Sequence, residues 1–130
     1  MKAHYNLEEL KKYKTAVARF SYTEQHLLDK KFDNIVRLVK EEQNIQMLYK
    51  NRVDLVIASE LTVRHRTKRL GLNYQDVVKV YSANGLTTDL SIALSINSEP
   101  AWIERLQTAY KELETNGTLA AIRKKWSSQI

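Results

Sequence analysis

Val53-Asp54-Leu55-Val56-Ile57-Ala58 is almost continuously apolar over six residues, a strand's length rather than a helix's. A run without the alternation of a half-exposed strand marks a parallel strand covered on both faces. Parallel strands cannot be joined by tight hairpins and need crossovers, usually helical. The flanking sequence supplies them. Thr15 to Phe20 alternates as a first strand, and Ser21-Tyr22-Thr23-Glu24 follows as a capping box, with Ser21 as the cap and Glu24 returning to its amide. Asn34 to Val39 is a second short strand, after which Glu41 to Lys50 sets Ile45, Leu48 and Tyr49 on one helical face. Beyond the central run, a helix extends from Glu60 to about Leu70 and stops at Gly71. Three successive strand-to-helix units predict an α/β fold: a layered, mostly parallel sheet with flanking helices and right-handed crossovers.

Leu7, Leu10 and Tyr13 fit a short amphipathic turn ahead of the first strand. Val77 to Tyr81 and Leu90 to Ile96 have the pattern of further strands, with the turn-forming pair Asn84-Gly85 between them. Pro100 opens a long helix in which Trp102, Ile103, Leu106, Ala109, Tyr110 and Leu113 recur at helical spacing, and Asn116-Gly117 ends it. A last helix spans about Thr118 to Trp126 with Leu119, Ile122 and Trp126 on its apolar side. Trp102, Tyr110 and Trp126 therefore occupy helix-packing positions and are expected in a core.

The 130 residues suit a single core, and 43% hydrophobic with 28% charged residues is the balance of a folded soluble chain. No stretch approaches the roughly 18 apolar residues of a membrane span, and the first residues lack the apolar centre of a signal peptide. With no cysteine, disulfides, thiolate metal sites and thiol nucleophiles are excluded. The net charge of +6 is spread through the chain and by itself defines no partner.

Two segments, one around Arg52-Val53-Asp54-Leu55-Val56 and one from Ile92-Ala93-Leu94-Ser95 through Asn116-Gly117-Thr118 to Lys125-Trp126, resemble the amino-acid-binding branch of the type II periplasmic solute-binding proteins, extracellular solute-binding protein family 3. Leu48 to Ile57 is similar to that family's helix end, small turn and strand beginning "R-V-D-x-V", here Arg52-Val53-Asp54-Leu55-Val56. Ile92-Ala93-Leu94-Ser95, the helix around Leu106 to Leu113, then Asn116-Gly117-Thr118, Ile122 and Lys125-Trp126 resemble its carboxy-terminal third. The resemblance implies one lobe of a periplasmic-binding-protein-like fold, truncated to lobe two plus the carboxy-terminal helices. Residues 1–97 would form the lobe-two-like α/β domain with a hinge strand at 90–96. Residues 98–130 would form helices that join lobe one in a complete receptor. It further implies an extracytoplasmic receptor of an ABC-type transporter, periplasmic, binding a small polar metabolite such as an amino acid and partnered by a membrane transporter or sensor. A ligand-sensing domain of a signalling protein or transcription regulator is the alternative.

By the same resemblance, Ser21, Tyr22 and Thr23 stand at a loop that holds a ligand carboxylate, with Ser21 and Tyr22 replacing the family's Gly-Thr. Amides at a helix start suit that role; a helix cap beside an exposed aromatic is the simpler alternative. Ser59 stands where the family has an aspartate for the ligand's ammonium, and the next residue, Glu60, either takes over that charge or complements the dipole of the following helix. Arg64-His65-Arg66-Thr67-Lys68-Arg69 is the most basic segment; without aromatic interleaving it is expected to be a solvated helical face rather than a nucleic-acid surface. His4, His26 and His65 lack metal-ligand spacing, and no acid/base pair or Ser-His-Asp order points to catalysis, so neither enzyme activity nor a cofactor is expected. The apolar set on the two terminal helices needs cover, either by folding back on the chain's own sheet or by exchange in a domain-swapped homodimer hinged at Leu90 to Ile96.

Overall fold

A computed structural model describes residues 4–86 and 91–128, and the chain divides into two compact units, Met1–Thr88 and Asp89–Ile130. In the first unit the elements run α1 (Leu7–Leu10), β1 (Thr15–Ala18), α2 (Tyr22–Asp29), β2 (Ile35–Leu38), α3 (Gln43–Tyr49), β3 (Leu55–Val56) and α4 (Glu60–Arg69), followed by a single 3-10 turn at Tyr74–Asp76. The second unit contains α5 (Pro100–Thr115) and α6 (Thr118–Ser128). The chain is mixed α/β, with a small, open, three-stranded parallel sheet.

The strand order is β2-β1-β3. Thr15 to Ala18 pair with Ile35 to Leu38 on one side of β1, and Thr15 and Ala16 pair with Leu55 and Val56 on the other, all parallel. The chain leaves β1 for β2, then returns past β1 to lay down β3 on its far side. That reversal makes the gap beyond the carboxyl ends of β1 and β3 a topological switch point, where open α/β sheets leave a crevice.

Burial follows the pleat of β1. Val17 faces a cluster with Leu10, Leu27 and Phe32, supported by Tyr13, Ile35 and Leu55. Ala16 faces the other side with Leu38 and Val53, against Met47 and Leu48 of α3. Helices thus cover both faces, which is why the strands read as apolar runs. At the amino end of the sheet, the carboxylate of Asp54 accepts from the Lys14 amide at 2.9 Å, while the Asp54 and Leu55 amides donate to the Lys14 carbonyl. The Arg-Val-Asp segment therefore docks β3 onto β1.

The sheet is smaller than the sequence predicts. The Val53–Ala58 run contributes only Leu55–Val56 as a ladder. Val77–Tyr81 forms no strand; the Tyr5 amide donates to the Val80 carbonyl at 3.2 Å, and Val80 packs on the cluster around Val17. Asn84-Gly85 does turn, with Gly85 at φ +95°, but joins no hairpin. Of the expected hinge strand, Leu90 lies outside the described residues, and residues 91–96 form no strand. Apolar alternation in these segments has no neighbouring ladder to join, and alternation without a partner does not make a strand.

The terminal helices form where expected, but Trp102, Tyr110 and Trp126 are exposed rather than in a core. Neither α5 nor α6 holds a buried residue. Two helices side by side cover only one flank of each other's apolar stripe, so helical spacing produced the stripe but not its burial.

Candidate functional site

The turn from β1 into α2 is held by a network of side-chain hydrogen bonds. Phe20 has φ +57°, in the left-handed region, where a bulky side chain is a genuine outlier. Its ring is 97% exposed, so no packing energy offsets the strain. Hydrogen bonds hold it instead. The Phe20 amide donates to Oε2 of Glu24 at 2.6 Å, and Nε of Arg37, reaching from β2, donates to the other oxygen, Oε1. Glu24 is buried. The Phe20 amide first, and the Arg37 guanidinium second, hold its carboxyl below the usual carboxylate range.

Ser21 caps α2: its Oγ accepts from the Glu24 amide at 3.1 Å and donates to the Ala18 carbonyl at 2.7 Å. The Thr23 hydroxyl lies 2.7 Å from the same Oγ. The cap is the predicted one, but the return bond is not. Glu24 reaches the amide of Phe20 rather than that of Ser21, because the left-handed residue turns its own N–H into the first turn of the helix. A complete capping box exists elsewhere, between Asn6 and Glu9 at the start of α1.

The Ser59-Glu60 pair occupies the matching place after β3. Ser59 caps α4, accepting from the Thr62 amide at 3.1 Å, and its hydroxyl lies 2.8 Å from that of Thr62. Glu60 sits in the first turn of α4, where Arg64 grips its carboxylate with Nη2 at 2.8 Å and Nε at 3.2 Å, and the Tyr74 hydroxyl donates at 3.3 Å. Arg64 and then Tyr74 hold this carboxyl below its usual range. Arg64 also lies over the Tyr74 ring, 4.4 Å from its centre. Arg66 is likewise engaged, by the side-chain oxygen of Asn44 at 3.3 Å and the Glu41 carboxylate at 3.4 Å. Two cations of the basic segment are thus bonded within the unit.

Since β1 and β3 are adjacent and parallel, Ser21-Tyr22-Thr23 and Ser59-Glu60 follow the carboxyl ends of neighbouring strands. Counting on in the same register sets Ser59 level with Arg19. Both groups stand at one end of the sheet. An open hollow at the β1 end is lined by Phe20, Ser21, Tyr22, Glu24, Gln25 and Leu28, without Ser59 or Glu60. Phe20, Glu24 and Arg37 escaped sequence reasoning as site residues. Glu24 was visible as a capping partner, whereas nothing marks a phenylalanine for a left-handed turn.

Among the described residues, no group of three His, Asp or Glu side chains can hold a metal ion, and no helix is long and apolar enough to cross a membrane. Comparison with known protein families, curated proteins and solved structures finds no match.

Proposed function

We propose that the carboxyl ends of β1 and β3 form a ligand-binding half-site of the solute-receptor kind, taking a small polar metabolite that bears a carboxylate. The observation that supports this most is Phe20. A strained residue persists only where its surroundings over-determine it, and such residues concentrate at ligand clamps. Here a buried carboxylate and an arginine from the neighbouring strand project an aromatic ring into solvent at the switch point, with Tyr22, also exposed, on the other side of Ser21. Two aromatic faces flank the first turn of an eight-residue helix, where the Glu24 amide is taken by Ser21 Oγ and the Tyr22 and Thr23 amides lack intrahelical partners. Carboxylate oxygens suit those donors, and the rings suit the ligand's apolar edge.

Glu60 makes a weaker ammonium partner than an unpaired carboxylate, because Arg64 already balances its charge through Oε1. The ligand is therefore selected by its carboxylate more than by an amine. By the resemblance, a second lobe completes such a site and the closed receptor delivers its ligand to a transporter or sensor outside the cytoplasm. One lobe alone supplies half of the contacts, so binding to this chain is weak, with Kd on the order of 1 mM. Calorimetry with amino acids, their methyl esters and small mono- and dicarboxylates tests this. Free carboxylates bind, esters do not, and Phe20→Gly abolishes the heat while the protein stays folded. If no carboxylate binds, or if the glycine variant binds equally well, the proposal fails.

A further inference from the structure

We infer that the α5–α6 hairpin is a self-association surface, and that its occupant is the same hairpin of a second copy of this chain. On α5, Trp102, Leu106, Ala109 and Leu113 alternate steps of four and three residues, the seam of a packed helix pair. Ile103 and Tyr110 lie one position further round and widen that seam beyond what a single neighbour needs. Leu119, Ile122 and Trp126 give α6 the same three- and four-residue steps. The helices pack on one another, yet Trp102 keeps 52% and Trp126 54% of their surface exposed. With no buried residue in either helix, the hairpin has an apolar stripe that nothing in its own unit covers.

Area and charge select a second copy. Seven large apolar side chains of the two helices are exposed by about two-fifths to a half. At about 150–250 Å² for each aromatic and somewhat less for each aliphatic, they offer about 600 Å² per hairpin. Two hairpins face to face would bury about 1,200 Å², the lower bound of a specific interface. α5 contains three acids (Glu104, Glu112, Glu114) against two bases (Arg105, Lys111), a net charge of −1; α6 has Arg123, Lys124 and Lys125 and no acid, a net charge of +3. A two-fold axis sets each acidic α5 against the basic α6 of the other copy twice over, and the product is a four-helix bundle. No strand exchange is required, so the assembly equilibrates on dilution.

The chain has two tryptophans, Trp102 and Trp126, both on the hairpin, so their emission reports on this surface alone. Sedimentation equilibrium and tryptophan emission are measured on the full chain across a dilution series. The expected result is a dimer that dissociates on dilution, with emission moving to the red in step, more readily at high salt. Leu106→Glu abolishes the dimer. Because that variant can also unfold the hairpin, a charge exchange provides the second test. Lys124→Glu with Lys125→Glu, and separately Glu112→Lys with Glu114→Lys, each weaken self-association, and mixing the two restores a heterodimer. Three results overturn the inference: a monomer at every concentration, a dimer that persists unchanged on dilution as strand exchange would make it, or a mixture of the charge variants that fails to associate.

Discussion

Ile45 on α3 and Ile122 on α6 are the same side chain on the same kind of amphipathic helix, yet Ile45 is 0% exposed and Ile122 46% exposed. The difference lies in what each helix meets. α3 lies on a face presenting Ala16, Val53 and Leu38, so Ile45 is fully covered and Met47 and Leu48 are partly covered. α6 meets only α5 in its unit, and one helix closes only one flank. Periodicity therefore predicts the stripe equally in both places, whereas burial depends on whether a second layer exists. The unit with the sheet covers its own apolar faces, whereas the hairpin leaves its stripe half exposed.

Truncating the two isoleucines should expose that contrast most strongly. Ile45→Ala is expected to destabilise the first unit by about 2–5 kcal/mol, because it opens a cavity where no solvent reaches. Ile122→Ala in dilute solution should change stability by no more than about 0.5 kcal/mol. Urea unfolding followed by far-ultraviolet circular dichroism measures both. Equal losses would mean that the hairpin has a core of its own, and the contrast would be wrong.

A smaller effect, of opposite sign, is expected at the β1–α2 turn. Phe20→Gly removes the steric cost of the left-handed backbone and sacrifices no packing, since the ring is solvent-exposed. The variant should be more stable than the parent by about 1 kcal/mol, less whatever the added freedom of its unfolded chain takes back. Destabilisation in the same urea experiment would show that the ring packs against something, and the picture of a strained, projecting aromatic would fail.

The pattern that revealed the strand-helix units is short-range, and so is what it revealed. The serine caps of α2 and α4, the stop at Gly71 and the helix after Pro100 all depend on residues within four positions of one another. What stayed hidden depends on distant or unusual contacts. Arg37 meets Glu24 from thirteen residues away, a pairing that no local spacing encodes. Phe20 takes a conformation that sequence reasoning reserves for glycine. Val77–Tyr81 has a strand's residues without a strand's neighbour, and only the topology decides that. At the candidate site, the positions of Ser21 and Ser59, each capping a helix after a strand, were legible, while the clamp around Phe20 was not.

The least effect concerns acid. Glu24 has a lowered pKa in the folded chain, so the stabilisation it gives is full above the ordinary carboxylate pKa and is lost as pH falls through the folded value. Glu24→Gln should be less stable than the parent at neutral pH, and the gap between them should close toward acid. Glu60 contributes with the same sign and remains in both proteins, so each still loses some stability at low pH. Parallel stability curves for the two proteins from neutral to acid pH would show that the Glu24 carboxylate is not held by Phe20 and Arg37.

The most direct measurement is residue-resolved amide nuclear magnetic resonance of the full chain during titration with a small carboxylate. Binding at the carboxyl ends of β1 and β3 predicts saturable shifts at Arg19 to Glu24, with smaller ones at Ile57 to Leu61, while α5 and α6 stay unchanged. Shifts confined to the α5–α6 hairpin, or none at Phe20 and Ser21 at saturating ligand, would contradict it.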